Sequence, residues 1–131
     1  MEKRNLVFAL INTMGGEHLV IKRLEGNEYG LPGGKADEGE FPKAAMVREI
    51  FEETGLKFDQ DDFKLLNIQT RIEGEFEDTV YGFGCNKLIS EAAPIFTAEK
   101  HIKPMFMEPS MFYQLTSFKD YYVNLFGEDE K

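Results

Sequence analysis

Apolar positions along this chain fall into two rhythms, one of strand type and one of helix type. The run Leu6-Val7-Phe8-Ala9-Leu10-Ile11 is followed by Gly15-Gly16 and then by His18-Leu19-Val20-Ile21-Lys22-Arg23. Two apolar runs joined by a glycine turn predict a β-hairpin. Gly30-Leu31-Pro32-Gly33-Gly34 interrupts regular structure. The period then lengthens, and Phe41 to Thr54 predicts a helix. Pro42 suits its first turn, where a missing N–H costs little. Ala44, Val47, Ile50 and Phe51 form its expected buried stripe, and Gly55 its stop.

Strand rhythm returns from Phe63 to Ile72. Glu73-Gly74-Glu75 reads as a turn, and Thr79 to Leu88 as the next strand. A loop containing Pro94 leads to a short strand over Ile102 to Met107. Ser110 to Phe126 predicts a terminal helix started by Pro109, with Met111, Leu115, Phe118, Tyr122 and Leu125 stepping along one face. No repeat, linker or low-complexity tract divides the chain, so residues 1–131 are expected to form one domain. Strands, helix, strands and helix in that order predict an α/β fold of the α+β type, a mixed sheet sandwiched between helices.

Composition narrows the function classes. The formal net charge is -9, and an acidic surface repels nucleic-acid backbones. Carboxylates cluster at 37–40, 49–53, 59–62 and 73–78, and a tail runs Glu128, Asp129, Glu130. Clusters of this kind are solvated surface unless their spacing gathers them on one face. The single Cys85 cannot form an internal disulfide and sits in an apolar alternation, as a small core residue does. No signal peptide and no bilayer-length apolar run is visible, so a cytoplasmic protein without membrane partners is expected.

One segment escapes the solvated-surface reading. Glu49, Glu52 and Glu53 are spaced by three and four and lie near one helical face. Arg48 can pair with Glu52 one turn on, but a single arginine does not neutralise three carboxylates. Hard divalent cations take oxygen ligands, and magnesium accepts a few carboxylates plus waters and phosphates. The preceding Gly33-Gly34 lets the backbone approach a ligand closely, and a free carbonyl there adds an oxygen donor. Glu40, near the helix start, reaches the same place or caps the first turn.

Gly34-Lys-Ala-Asp-Glu-Gly-Glu40, seven residues, then Arg48-Glu49-Ile50-Phe51-Glu52-Glu53-Thr54-Gly55-Leu56, resembles the Nudix box at every fixed position. The Leu31-Pro32-Gly33-Gly34 lead-in and the flanking strand order extend the resemblance beyond the box. It implies a hydrolase of phosphoanhydride bonds in nucleoside diphosphate-linked substrates, dependent on Mg2+ with Mn2+ as a substitute. It further implies that Glu49 and Glu53 hold the metals, that Glu52 is a third metal-associated glutamate, and that the Gly33 carbonyl completes the coordination. Arg48 then orients the box glutamates, and Glu40 is structural or metal-adjacent. Together Glu49, Glu52, Glu53 and Arg48 form the expected catalytic set.

The general base is not fixed to one place in such enzymes, and Glu52 and Glu99 are the candidates here. Arg23, closing the second strand before the glycine loop, is the expected phosphate grip, with Gly34 against the substrate. Lys22 alternates away from Arg23, and Lys35 and Arg71 are weaker candidates. Phe8, Tyr81, Phe83 and Phe106 lie on predicted strands, as core or as a platform for a base. The proline and tyrosine markers of ADP-ribose and dinucleoside polyphosphate hydrolases are missing at their usual distances, where Thr70, Arg71, Ile72, Glu73 and Gly74 stand. The short chain is similar to MutT-like nucleoside triphosphate pyrophosphohydrolases, which release a nucleoside monophosphate and pyrophosphate. Hydrolysis of ADP-ribose, a nucleotide sugar or a dinucleoside polyphosphate is the alternative within the family. A non-catalytic binding module is the alternative outside it, and the complete set of box carboxylates argues against that. RNA decapping is disfavoured by the acidic balance. Family members often form homodimers, and the aromatic terminal helix serves a dimer as readily as a core.

Overall fold

The structure is a computed structural model and describes residues 1–127; the acidic tail at Glu128, Asp129 and Glu130 lies outside them. Seven strands and three helices follow in the order β1 (Glu2–Leu10), β2 (His18–Arg23), β3 (Glu28–Gly30), β4 (Gly33–Lys35), α1 (Pro42–Thr54), β5 (Phe63–Glu73), β6 (Phe76–Cys85), β7 (Ile102–Met107), α2 (Pro109–Leu115) and α3 (Lys119–Phe126). The expected mixed sheet is present in the order β4-β1-β6-β5, beside a smaller sheet β3-β2-β7. In the larger sheet β1 runs parallel to β6 and antiparallel to β4.

The larger sheet lies between helices because β1 is apolar on both faces. Val7, Ala9 and Ile11 pack with Ala45, Met46 and Ile50 of α1. Phe8 and Leu10, alternating to the opposite face, pack against Tyr121, Tyr122 and Phe126 of α3. Both layers of the predicted sandwich are therefore present around this sheet.

The predicted hairpin of the first two strands is corrected. They meet only at their turn, where Thr13 N–H donates to the Glu17 carbonyl at 2.8 Å and Leu19 N–H to that of Ile11 at 2.9 Å. They then diverge into different sheets. The edges of β1 are already occupied by β4 and β6, and those of β2 by β3 and β7. The expected irregular stretch at 30–34 contains the end of β3 and the start of β4. The strand expected over Thr79 to Leu88 begins and ends earlier, since Asn86 N–H turns away to the Asp62 carbonyl at 2.7 Å. Cys85 is only half-buried, at the margin of the core.

The terminal helix is two helices. At Thr116 the backbone turns extended (ψ 140°). The carboxylate of Glu28 on β3 receives the Ser117 N–H at 2.9 Å and the Thr116 hydroxyl at 3.4 Å. The single stripe read across this break is therefore wrong in its first half: Met111, Leu115 and Phe118 are exposed, while Phe112, Tyr122 and Leu125 are buried. In α1, Pro42 occupies the first turn and Gly55 the left-handed cap (φ 78°) as expected. Its buried face is rotated from the predicted one. Phe51 is 49% exposed and Ala44 and Val47 only half-buried, whereas Ala45, Met46, Ile50 and Glu53 point inward. Among the described residues no helix is long and apolar enough to cross a membrane.

Candidate active site

The site is built where α1 meets the segment from β3 to β4. Burying Glu53 requires a polar partner. It is only 6% exposed, and its Oε1 accepts the Gly33 N–H at 3.1 Å. Gly33 adopts φ 153°, and a Cβ there would overlap the Val7 carbonyl and Phe8 Cα. One residue on, a Cβ at Gly34 would lie 2.7–2.9 Å from the Glu49 carboxylate. The two glycines thus let β4 run directly beneath the two inward-facing carboxylates of α1.

Arg48 organises the outer side. Its Nε and Nη2 donate to Glu40 at 2.9 and 3.0 Å, a bidentate pair, and its Nη1 donates to Glu49 and Glu52 at 3.2 Å each. Nη2 also reaches the Lys35 carbonyl at 3.3 Å. Glu40 accepts the Asp37 N–H at 2.8 Å as well, closing the loop before α1. The predicted common face of three glutamates therefore divides: Glu49 and Glu53 face inward, and Glu52 stands 44% exposed on the arginine.

Electrostatics separate the inner pair from the rest. Burial pushes the Glu53 carboxyl up to about 8, reinforced by Glu49 and Glu99 and opposed by the Gly33 N–H and Arg23. Burial also raises Glu49, which Arg48 pulls back and Glu52 and Glu99 push further. Two residues remote in sequence are thus within electrostatic reach, Glu99 of both inner carboxylates and Arg23 of Glu53. Arg23 arrives at the end of β2, where the next residue, Leu24, bonds the His101 carbonyl at 2.9 Å. Glu99 is delivered by a loop that caps the carbonyl end of α1. In that loop Phe96 N–H donates to the Thr54 carbonyl at 2.9 Å, and the Thr97 hydroxyl to that of Glu52 at 2.8 Å.

Two other basic side chains weighed in the sequence are engaged elsewhere. Lys22 sits over the Tyr29 ring, and Arg71 over the Tyr121 ring beside Asp78. Lys35 touches the site through its carbonyl to Arg48. Phe8, Tyr81, Phe83 and Phe106 are packed in the two cores. Sequence reasoning missed the Gly33 N–H as a partner of Glu53; the lead-in glycines drew attention only to a carbonyl.

A divalent cation can be tested against these residues. Among the described residues no three carboxylate, imidazole or thiol groups close into a cage. Magnesium needs less, one or two carboxylates completed by waters and substrate phosphates. Glu49 and Glu53 meet that need as two oxygen donors, with Arg48 countering the charge of Glu49, and the Gly33 N–H and Arg23 that of Glu53. The donor set fits a hard divalent ion.

Two inward carboxylates on a helix, laid over a glycine strand in a two-sheet α+β fold, define a helix-borne acidic site whose donors suit a divalent cation. The chain belongs to the NUDIX domain family, which it matches over residues 2–116. It is 40% identical over 57 residues to the RNA pyrophosphohydrolase of Tolumonas auensis, across 44% of this chain. It is 42% identical over 48 residues, 37% of this chain, to a Bacillus subtilis protein provisionally named 8-oxo-dGTP diphosphatase. These matches span about a third of each relative (32%). The fold superimposes on the MutT NUDIX hydrolase of Burkholderia pseudomallei with a TM-score of 0.75 and 23% identity, covering 96% of this chain and 99% of that one.

Proposed function

We propose that the chain is a magnesium-dependent hydrolase of nucleoside triphosphates, releasing a nucleoside monophosphate and pyrophosphate. The observation that carries this reading is the buried Glu53, held by the Gly33 N–H beside Glu49 on the helix of the family's box. Glu49 and Glu53 would hold the cation, Mg2+ or Mn2+ as a substitute, with Glu52 and the Gly33 carbonyl as further oxygen donors. A divalent ion there supplies charge withdrawal from the phosphates and acidification of water. Arg23 grips the phosphates, and Gly34, on the substrate side of the strand, leaves room for the Glu49 carboxylate. Arg48, itself held by Glu40, positions Glu49 and Glu52. Glu99, beside the inner pair, accepts the proton as water oxygen bonds to phosphorus and the anhydride P–O bond breaks.

The triphosphate reading is supported by the named function of the Bacillus subtilis relative and by fold similarity to MutT proteins. The Tolumonas auensis relative's name raises an RNA 5′ end as a second substrate, and the net charge of -9 opposes it. The experiment is product analysis over nucleoside triphosphates, nucleotide sugars, dinucleoside polyphosphates, ADP-ribose and 5′-triphosphorylated RNA, with and without magnesium, beside Glu53→Gln. Metal-dependent pyrophosphate release from a triphosphate, lost in the variant, supports the proposal. Turnover confined to another compound replaces the substrate, and silence throughout removes catalysis.

A further inference from the structure

Tyr122 lies on α3, beyond the residues 2–116 that match the family, and no part of the proposed chemistry uses it. Its ring is only 4% exposed and sits edge-on to Phe8, centroids 5.8 Å apart. Its hydroxyl is buried too, and a buried hydroxyl needs a partner. That partner is the Leu31 N–H, at 3.3 Å across 91 positions of sequence. The approach is close enough that a Cβ at Gly30 would lie 2.8 Å from the Tyr122 oxygen. From this anchor the chain runs Leu31, Pro32, Gly33. The Pro32 carbonyl accepts the Ala9 N–H at 3.0 Å, and the Gly33 N–H then donates to Glu53 at 3.1 Å. Phe8, against which Tyr122 packs, is also the residue on which Gly33 lies.

Two fixed points on one face, the tyrosine hydroxyl and the β1 backbone, thus determine where the Gly33 N–H points. We infer that the Tyr122 hydroxyl is a positioning group that holds the Leu31–Gly33 segment so that Gly33 can orient the Glu53 carboxylate. The Tyr122 hydroxyl bonds Leu31, which lies before the box, and it acts through the loop. The kinetic part of this inference rests on the hydrolase reading above, and the structural part stands without it.

Tyr122→Phe deletes only the hydroxyl and keeps the ring against Phe8. Amide hydrogen exchange of the metal-free protein reads the loop directly, with the Val80 amide in β6 as reference. The expected result is exchange about tenfold faster at Leu31 and Gly33 with Val80 unchanged, and a kcat lowered roughly tenfold at near-constant KM. Unchanged exchange at Gly33 overturns the inference, as does a loss of protection that includes Val80, which marks general loosening. A raised KM at unchanged kcat also overturns it, since it places the hydroxyl in substrate grip. If the wild type turns over no nucleotide, the functional proposal fails while the exchange result still decides the positioning role.

Discussion

Arg48 grips Glu40 through two hydrogen bonds, Nε to Oε2 at 2.9 Å and Nη2 to Oε1 at 3.0 Å, and the same guanidinium reaches Glu49 with Nη1 at 3.2 Å. The loop carboxylate fixes the plane of the arginine, and the arginine fixes a carboxylate that faces the proposed cation. A lysine offers charge without the planar fork. Arg48→Lys is therefore expected to lower turnover roughly 10- to 100-fold, the range for groups that orient metal ligands. Glu40→Gln is expected to act in the same direction. In a double-mutant cycle the pair costs little more than either change alone, because both break one relay. Additive losses would show that Glu40 and Arg48 act separately.

The adjacent glycines separate stability from activity. An added Cβ at Gly33 meets backbone, the Val7 carbonyl and Phe8 Cα, which β1 cannot move. Gly33→Ala is expected to destabilise the fold by roughly 1–3 kcal/mol. At Gly34 the same atom meets the end of the Glu49 side chain, which can swing aside. Gly34→Ala is expected to leave the thermal midpoint within a few degrees of wild type and to lower activity sharply by displacing Glu49. Thermal melts and steady-state rates on both variants check the contrast, and equal melting losses would refute it.

How much of this was legible in the sequence follows from the kind of signal each feature carries. The spacing of Glu40, Arg48, Glu49, Glu52 and Glu53 placed them on one loop and helix, because helical geometry is local. The rotation of that helix was misjudged for a physical reason. Hydrophobicity alone turns Phe51 inward, but Glu53, with half-buried Glu49 beside it, turns toward the interior and the Gly33 N–H instead. The β1–β2 pairing failed because a turn dictates only local antiparallel contact, and the neighbours β4, β6 and β7 come from elsewhere in the chain. The break at Thr116 depends on Glu28, and the anchor at Tyr122 on Leu31. Contacts that span most of the chain leave no periodic trace.

Asp78 predicts the acid limit of stability. It is fully buried and held by Arg4 at 2.8 and 2.9 Å, with the arginine 3.7 Å over the Phe76 ring. The Arg4 guanidinium holds its carboxyl below the usual aspartate range. On acidification the unfolded chain takes up the proton first, near pH 3.9, so stability present at neutral pH is lost as pH falls through the lower folded value. Denaturation midpoints measured from about pH 7 down to about pH 3 are expected to fall less steeply in Asp78→Asn, which begins from a lower plateau. An identical acid slope in both proteins would show that Asp78 does not govern this limb.

Glu53 predicts the opposite slope at higher pH. Burial, with the charges of Glu49 and Glu99 behind it, pushes its carboxyl up to about 8 in the metal-free protein. The unfolded chain sheds this proton near pH 4.3, while the folded chain keeps it until about 8. Stability is therefore fully present below the lower value, declines through the window between the two, and levels off above the upper one. Metal-free wild type is expected to melt several degrees lower at about pH 8 than at about pH 5. Glu53→Gln, which carries the neutral shape at every pH, should lack this contribution. Magnesium should restore more stability to wild type at the upper end, where the carboxylate binds it without first losing a proton. It should restore much less to Glu53→Gln. Equal magnesium stabilisation of both proteins would separate Glu53 from the cation and leave Glu49 as the inward ligand.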